Sequence, residues 1–327
     1  MKTNLANILR VLDHAGSRTI TVFGDYCLDK YLYIDPFRDE NSVETGLTAY
    51  QVDRKALSPG ASGTVVNNLR ALDVNVRCVG LLGNDGEGYD LLKCLEQIGA
   101  DTELMVQSDG VPTNTYMKPM RKGADDTYTE MNRIDIRSFQ KTSEKLEDQL
   151  IANLRKALDA SQGVVVIEQF LQRNCSAVTD RIRNELSVLA RRYPHKFFLA
   201  DSRGFAGCYR DVIIKCNQFE LPDTVENLAV LNRAVVVTAG ADGAAVYEDG
   251  AKEHVPAFPV TGPIDIVGAG DATSAGTMLG LTLGLTLPEA VLLGGGVSSI
   301  TIQQVGVTGT ATVEQVRRLL EETLPPN

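Results

Sequence analysis

Between Gly163 and Thr238 the chain alternates uninterrupted apolar runs with segments of helical period. The runs are Gly163-Val164-Val165-Val166-Ile167, Lys196-Phe197-Phe198-Leu199-Ala200, Val212-Ile213-Ile214-Lys215 and Ala234-Val235-Val236-Val237-Thr238. A strand that is apolar on consecutive residues is buried on both faces. Such strands, separated by helices, build a mostly parallel sheet covered on both sides. Helices are expected over 143–158 and 174–192. In the first half, helices over 1–16, 65–72 and 86–98 alternate with strands over 19–24 and 74–82. The fold class is therefore α/β. The carboxyl ends of these strands carry Asp25 to Lys30, Asp201-Ser202-Arg203-Gly204, Asn217 to Glu220, and Ala239 to Gly243. Open α/β sheets bind ligands at that edge, so these clusters line one crevice.

Two stretches break the alternation. Tyr31-Leu32-Tyr33-Ile34 and Thr48-Ala49-Tyr50-Gln51-Val52 flank a polar loop. Thr113 to Lys118 and Thr127 to Met131 flank the charged turn Arg121 to Asp126. Short alternating segments of this kind read as antiparallel strands with one exposed face. Together they form a small sheet set apart from the core, a lid over the crevice inserted at about 30–58 and 111–133. A lid excludes water and completes a site on closure. There are no internal repeats or linkers, so residues 1–327 read as one domain carrying these insertions.

The run Thr261 to Gly276 contains Asp265-Ile266-Val267-Gly268-Ala269-Gly270-Asp271 and passes directly into an apolar helix of small residues. Amides of Gly268, Ala269 and Gly270 at a helix start can converge on an anion, helped by the helix dipole. Asp271 beside them suits proton removal from a hydroxyl that attacks phosphorus. The bland alternative is a simple Gly-x-Gly turn. A dinucleotide fingerprint fits less well, because Thr273 stands where its third glycine belongs. Asp25 and Asp29 either grip sugar hydroxyls or cap turns. Gly60 and Gly63, in Pro59-Gly60-Ala61-Ser62-Gly63-Thr64, either admit a ligand to the backbone or make an ordinary helix entrance.

The net charge of −10 argues against nucleic acid as the main partner. The six cysteines show no CxxC pattern and only three histidines are present, so a zinc site is not expected. The thiols read as buried residues of a reducing compartment. No signal-peptide core opens the chain and no run approaches ~18 apolar residues, so a cytoplasmic protein without a membrane partner is expected.

These clusters, in this order, resemble the ribokinase-like (PfkB) family of ATP-dependent carbohydrate kinases. The resemblance rests on Gly24 to Asp29, Pro59 to Gly63, Asn217 to Glu220, Thr238-x-Gly240-x-x-Gly243 and Asp265 to Asp271. Within the family, Gly24-Asp25-x-x-Leu28-Asp29-Lys30-Tyr31, Arg133-Ile134-Asp135 and Asp201-Ser202-Arg203-Gly204 are similar to the kinase domain of the heptose-7-phosphate kinase/ADP-heptose synthase proteins. The sequence ends at Asn327 without the nucleotidyl-transferring domain that those relatives often carry. The resemblance implies that Asp271 is the base and that the 268–270 backbone is the anion hole. It implies that Asn217 and Glu220 arrange Mg²⁺ through water, and that Thr238, Gly240 and Gly243 line the ATP site. Asp29, Asp25, Gly60, Ala61, Thr64 and Arg133 would face the acceptor. K⁺ would bind carbonyls near Asp265 and the 305–309 loop.

Several positions depart from the family pattern. Ile266 replaces a threonine, Ala61 a second glycine, and Thr64 an asparagine that contacts sugar. The connector from Glu220 to Ala234 is short. The expected acceptor is a sugar or sugar phosphate, with heptose 7-phosphate at its anomeric hydroxyl as the specific reading. Lys118, Arg121, Lys122 and above all Arg133 are candidate phosphate ligands. A nucleoside kinase would instead stack its base on Tyr31, Tyr33, Tyr50 or Tyr116. A sensor that binds sugar or nucleotide without turnover would have kept the fold alone. Lid strands with free edges predict a homodimer through the lid.

Overall fold

The computed structural model of the chain describes residues 5–222 and 224–324. Helix α1 (Leu5–Leu12) leads into β1 (Thr19–Gly24), then β2 (Tyr26–Ile34), β3 (Glu40–Asn41), β4 (Thr48–Ala49) and β5 (Val52–Ala61). Next come α2 (Ser62–Ala71), β6 (Asn75–Gly83), α3 (Gly86–Gln97), β7 (Val106–Ser108), β8 (Thr115–Lys122), β9 (Tyr128–Glu130) and β10 (Ile134–Ile136). The second half holds α4 (Glu144–Leu158), β11 (Gly163–Glu168), α5 (Asp180–Arg192), β12 (Phe197–Ser202), β13 (Ile213–Asn217) and α6 (Val225–Leu231). It closes with β14 (Ala234–Thr238), β15 (Ala244–Glu248), β16 (Ala251–Val255), α7 (Ala269–Thr282), α8 (Leu287–Thr301) and α9 (Val313–Thr323).

The central sheet has the order β16-β15-β14-β13-β12-β11-β1-β6-β7. It is parallel from β14 to β7, while β15 and β16 pair antiparallel at one edge. Side chains alternate across it as strand geometry requires. Val22, Val165, Leu199 and Ile213 pack on one face with residues of α2, α7 and α8. Phe23, Val164, Phe198 and Ile214 pack on the other with α4 and α5. Helices α7 and α8 approach closely because both are rich in glycine: a Cβ on Gly276 would lie 2.7 Å from the Gly294 Cα. That seats the start of α7, and with it Asp271, at the carboxyl edge of the sheet.

The lid is a separate sheet in the order β10-β8-β2-β5, with β9 on β8 and the β3–β4 pair beside it. Two expectations need correction. The lid is mixed, because β2 and β8 run parallel, which consecutive hairpins alone would not produce. Its strands also reach further than 30–58 and 111–133, since β2 opens at Tyr26 and β5 runs to Ala61. The lid therefore grows directly out of the crevice edge. The helix expected over 174–192 begins at Asp180. Asn174 is left-handed (φ 65°) and its side chain accepts the Asp180 amide, while Thr179 caps the helix. The short connector before β14 contains α6. Of the helix expected over 1–16, residues 1–4 lie outside the described residues. The cysteines are not uniformly buried: Cys27, Cys78 and Cys216 are, Cys94 and Cys175 are half-buried, and Cys208 is exposed. Among the described residues no helix is long and apolar enough to cross a membrane.

Candidate active site

The loop before α7 turns at Gly268, which is left-handed (φ 81°) and caps the helix. Of the three amides expected to form an anion hole, Ala269 is the exception. Its N–H donates to the Ile266 carbonyl at 3.1 Å, closing the turn. Among the described residues the amides of Gly268, Gly270 and Asp271 have no partner, so the open donors are shifted one residue towards the base. Ile266, in place of threonine, is exposed.

Asp271 is half-buried in the first turn of α7. Burial pushes its carboxyl up to about 7; the neighbouring Asp201 carboxylate adds to this and Lys215 and Arg203 oppose it. A carboxylate poised near neutrality is suited to general base work. Asp201 and Lys215 are directly opposed on the adjacent parallel strands β12 and β13. Lys215 Nζ donates to Asp201 Oδ2 at 2.6 Å, and Ser274 Oγ donates to the same oxygen at 2.9 Å. The sequence placed Asp201 in a crevice cluster without giving it a partner, and Lys215 only at the end of a strand. The available signal was a charged residue closing a strand that is otherwise buried on both faces.

Asp25 and Asp29, four residues apart, have different fates. A Cβ on Gly24 (φ 138°) would lie 2.1 Å from the Ile167 carbonyl oxygen, so only glycine allows the sharp exit from β1. That exit buries Asp25. Its Oδ2 accepts the Gln169 amide at 2.9 Å and its Oδ1 the Ala177 amide at 3.2 Å. Burial raises its carboxyl to about 6 against these hydrogen bonds. Asp25 therefore ties loops together and offers nothing to an acceptor, which corrects its placement among the sugar ligands. Asp29 lies on β2 over Gly60, where a Cβ would come within 2.7 Å of its Oδ2. Its charge is felt by Asp271, so the two acids share one crevice.

Ala61 caps α2 with φ 52° and ψ −117°, a conformation made for glycine. Thr64, in the first turn of α2, is buried, and its Cγ2 would lie 3.3 Å from a Cβ on Gly268. Gly60, Ala61 and Thr64 thus adjoin the anion-hole loop. The lid cations are largely committed. Lys118 Nζ pairs with Asp29 Oδ1 at 2.9 Å, Arg121 with Asp39 at 2.8 Å and Lys122 with Asp126 at 2.7 Å. Arg133 forks onto Asp135 at 2.6 and 2.8 Å and covers the Tyr116 ring. Tyr31, Tyr33 and Tyr50 also carry a lysine or arginine over the ring, so these tyrosines offer no open stacking cage. Arg203, read from the sequence only as part of the Asp201 to Gly204 crevice cluster and given no role of its own, is exposed at the crevice without a side-chain partner among the described residues. Its charge reaches Asp271, Cys27 and Tyr116.

On the other side of the base, Asn217 and Thr238 are neighbours across β13 and β14. Asn217 Oδ1 accepts the amides of Phe219 and Glu220, and Glu220 Oε2 accepts the Asn217 amide. The Asn217 oxygen is thereby spent, while one Glu220 oxygen is left to hold the water of a hydrated cation. No cluster of three acids, histidines or cysteines exists among the described residues to cage a metal directly. The donor set therefore fits Mg²⁺ held through water at Glu220. Gly240 (φ 59°) and Gly243 (φ 83°) form the turn after β14. Asp265 accepts the Val267 amide on one oxygen and the Gly306 amide on the other, joining the two loops expected around a monovalent cation.

A pfkB family carbohydrate kinase model matches residues 26–313. The Bifunctional protein HldE of Hyphomonas neptunium is 26% identical over 96% of this chain, and that of Trichlorobacter lovleyi is 26% identical over 94%. The chain spans only 66% and 63% of the length of these two relatives. Among solved structures, Arabidopsis thaliana ribokinase complexed with ribose and ATP aligns with a TM-score of 0.63 at 16% identity, covering 93% of this chain and 98% of that one. Escherichia coli phosphofructokinase-2 in complex with potassium aligns with a TM-score of 0.67 at 17% identity, covering 93% and 98%. With Asp29, the Asn217–Glu220 turn and Asp271 all inside the matched span, this chain belongs to the pfkB family of carbohydrate kinases.

Proposed function

We propose that this chain transfers the γ-phosphoryl group of MgATP to a hydroxyl of a sugar or sugar phosphate. The observation that carries this reading is Asp271, a half-buried carboxylate raised to about 7 in the same turn as the unpartnered amides of Gly270 and its own backbone. An acceptor hydroxyl held by Asp29 gives its proton to the Asp271 carboxylate as its oxygen attacks the γ-phosphorus. That oxygen–phosphorus bond forms while the bond from the γ-phosphorus to the β–γ bridging oxygen breaks, and ADP leaves. The amides of Gly268, Gly270 and Asp271 take up charge developing on the equatorial oxygens. Bound Mg²⁺ supplies neutralisation of charge on the nucleotide phosphates. Glu220 would hold its water, while Thr238, Gly240 and Gly243 shape the nucleotide side. A monovalent cation between the Asp265 and 305–309 loops belongs to the same proposal.

Heptose 7-phosphate, phosphorylated at its anomeric hydroxyl, is the specific acceptor we propose. The HldE relatives and the unpaired Arg203 at the acceptor side support it. A lid-to-lid homodimer is part of this reading, supported by the exposure of Phe37, Val43 and Leu47 on the lid. The deciding experiment measures ADP formation across a panel of sugars and sugar phosphates, comparing wild type with Asp271→Asn. If ligands bind but no acceptor supports Asp271-dependent ADP formation, the chain is a sensor and the kinase reading fails.

A further inference from the structure

Lys215 is the least ordinary residue of the central sheet. It shares a face of β13 with Ile213, the face packed by α7 and α8, and its side chain is only 5% exposed. Its ammonium lies 3.2 Å from the position a Cβ would occupy on Gly270. The space left by that missing side chain therefore opens onto a lysine, in the same turn as the free amides of Gly270 and Asp271. A lysine ammonium has three donors, and among the described residues only one is used, towards Asp201 Oδ2 at 2.6 Å. Burying a cation with unspent donors is costly unless an anion or water completes its shell. Asp201 does not match Lys215 alone, because it also accepts Ser274 Oγ, one turn beyond the anion hole on α7. Asp201 thus fixes Lys215 relative to the helix that carries the base. Burial, the largest influence, would depress the Lys215 ammonium, but Asp201, Asp271 and Glu220 together raise it above its ordinary value, so the group stays charged.

We infer that the Lys215 ammonium is the charged donor of the anion hole, held by Asp201 and Ser274 and directed at the transferring phosphoryl group. This rests on the kinase reading above. Lys215 accepts no proton in the reaction; it adds a fixed positive charge where the open backbone amides supply only dipoles. A charge-assisted contact to the γ-phosphate separates ATP from ADP, which a purely structural lysine would not do.

The test measures binding of β,γ-methylene-ATP and of ADP, each with Mg²⁺ and without acceptor, by calorimetry. Lys215→Met is the first variant. Because it leaves Asp201 without its counter-charge, the charge-balanced Lys215→Met/Asp201→Asn double variant is the second. The ratio of ATP-analogue affinity to ADP affinity should fall about 10- to 100-fold in whichever variant folds, and kcat by about 10²- to 10³-fold. An unchanged ratio in a folded variant overturns the assignment of Lys215 while leaving the kinase reading in place. Wild type that binds neither nucleotide overturns the kinase reading and this inference with it.

Discussion

Replacing Asp271 with asparagine should sharply slow transfer and stabilise the protein at the same time. The carboxyl is raised from 3.8 to about 7, first by burial and then by Asp201. At about 1.4 kcal/mol for each tenfold change, holding it ionised in the native state costs about 4 kcal/mol. The sign follows from proton binding. Below pH 3.8 both states are protonated and the group is neutral to stability. Between 3.8 and 7 the unfolded chain has released its proton and the native state has not, so stability falls as pH rises. Above 7 the full cost is present. Asp271→Asn removes a charge and keeps the shape, so its gain should be largest at pH 8 and vanish by pH 4. For a chain of this size the pH 8 gain corresponds to a Tm rise of about 5 °C, read by calorimetry or fluorescence melting. Turnover should drop by about 10²- to 10⁴-fold. A Tm that falls at pH 8, or a gain equally large at pH 4, would refute the claim that this turn of α7 is held under electrostatic strain.

Three further outcomes follow from named contacts. Asp201→Asn removes the carboxylate that helps raise Asp271 and leaves Lys215 to lower it, so the acid limb of kcat/KM should move down by about one pH unit; an unmoved limb would separate Asp201 from the base. Ala61→Gly relieves a non-glycine residue at φ 52° and should raise stability by about 1 kcal/mol in urea unfolding, with acceptor KM the parameter that changes if this strain shapes the sugar side. Gly276→Val, forced against the Gly294 backbone, should cost about 1–3 kcal/mol and lower kcat with little effect on ADP affinity, because it displaces α7 but leaves the Asn217–Glu220 turn alone.

What could be read from the sequence depended on how local each signal was. The strands of the second half were legible because burial on both faces writes an unbroken apolar run, and Ala234–Thr238 is observed as expected. The lid was legible as a break in that pattern, but the parallel pairing of β2 with β8 joins residues almost ninety positions apart and leaves no local trace. The same limit applies to the acids. Asp25 and Asp29 look interchangeable at the end of one strand. What separates them is that Gly24 folds the chain against Ile167, a residue of another strand, and turns Asp25 onto backbone amides.

Lys215 shows where a sequence reading is most easily misled in a parallel sheet. Its role is set by Asp201, its register neighbour on β12, and by the empty side of Gly270, fifty-five positions further on. The electrostatic need could have been anticipated. A chain of net charge −10 that binds a polyphosphate must supply cations locally, since its overall field repels the ligand. The lid cations Lys118, Arg121, Lys122 and Arg133 are committed to Asp29, Asp39, Asp126 and Asp135. Two cations stand nearest the base: Lys215 under the anion hole, with donors to spare beyond Asp201 among the described residues, and Arg203 at the crevice, one buried and one exposed. In the proposed reaction the two would carry different tasks: the buried charge would act on the group in flight, and the exposed one would help select what receives it.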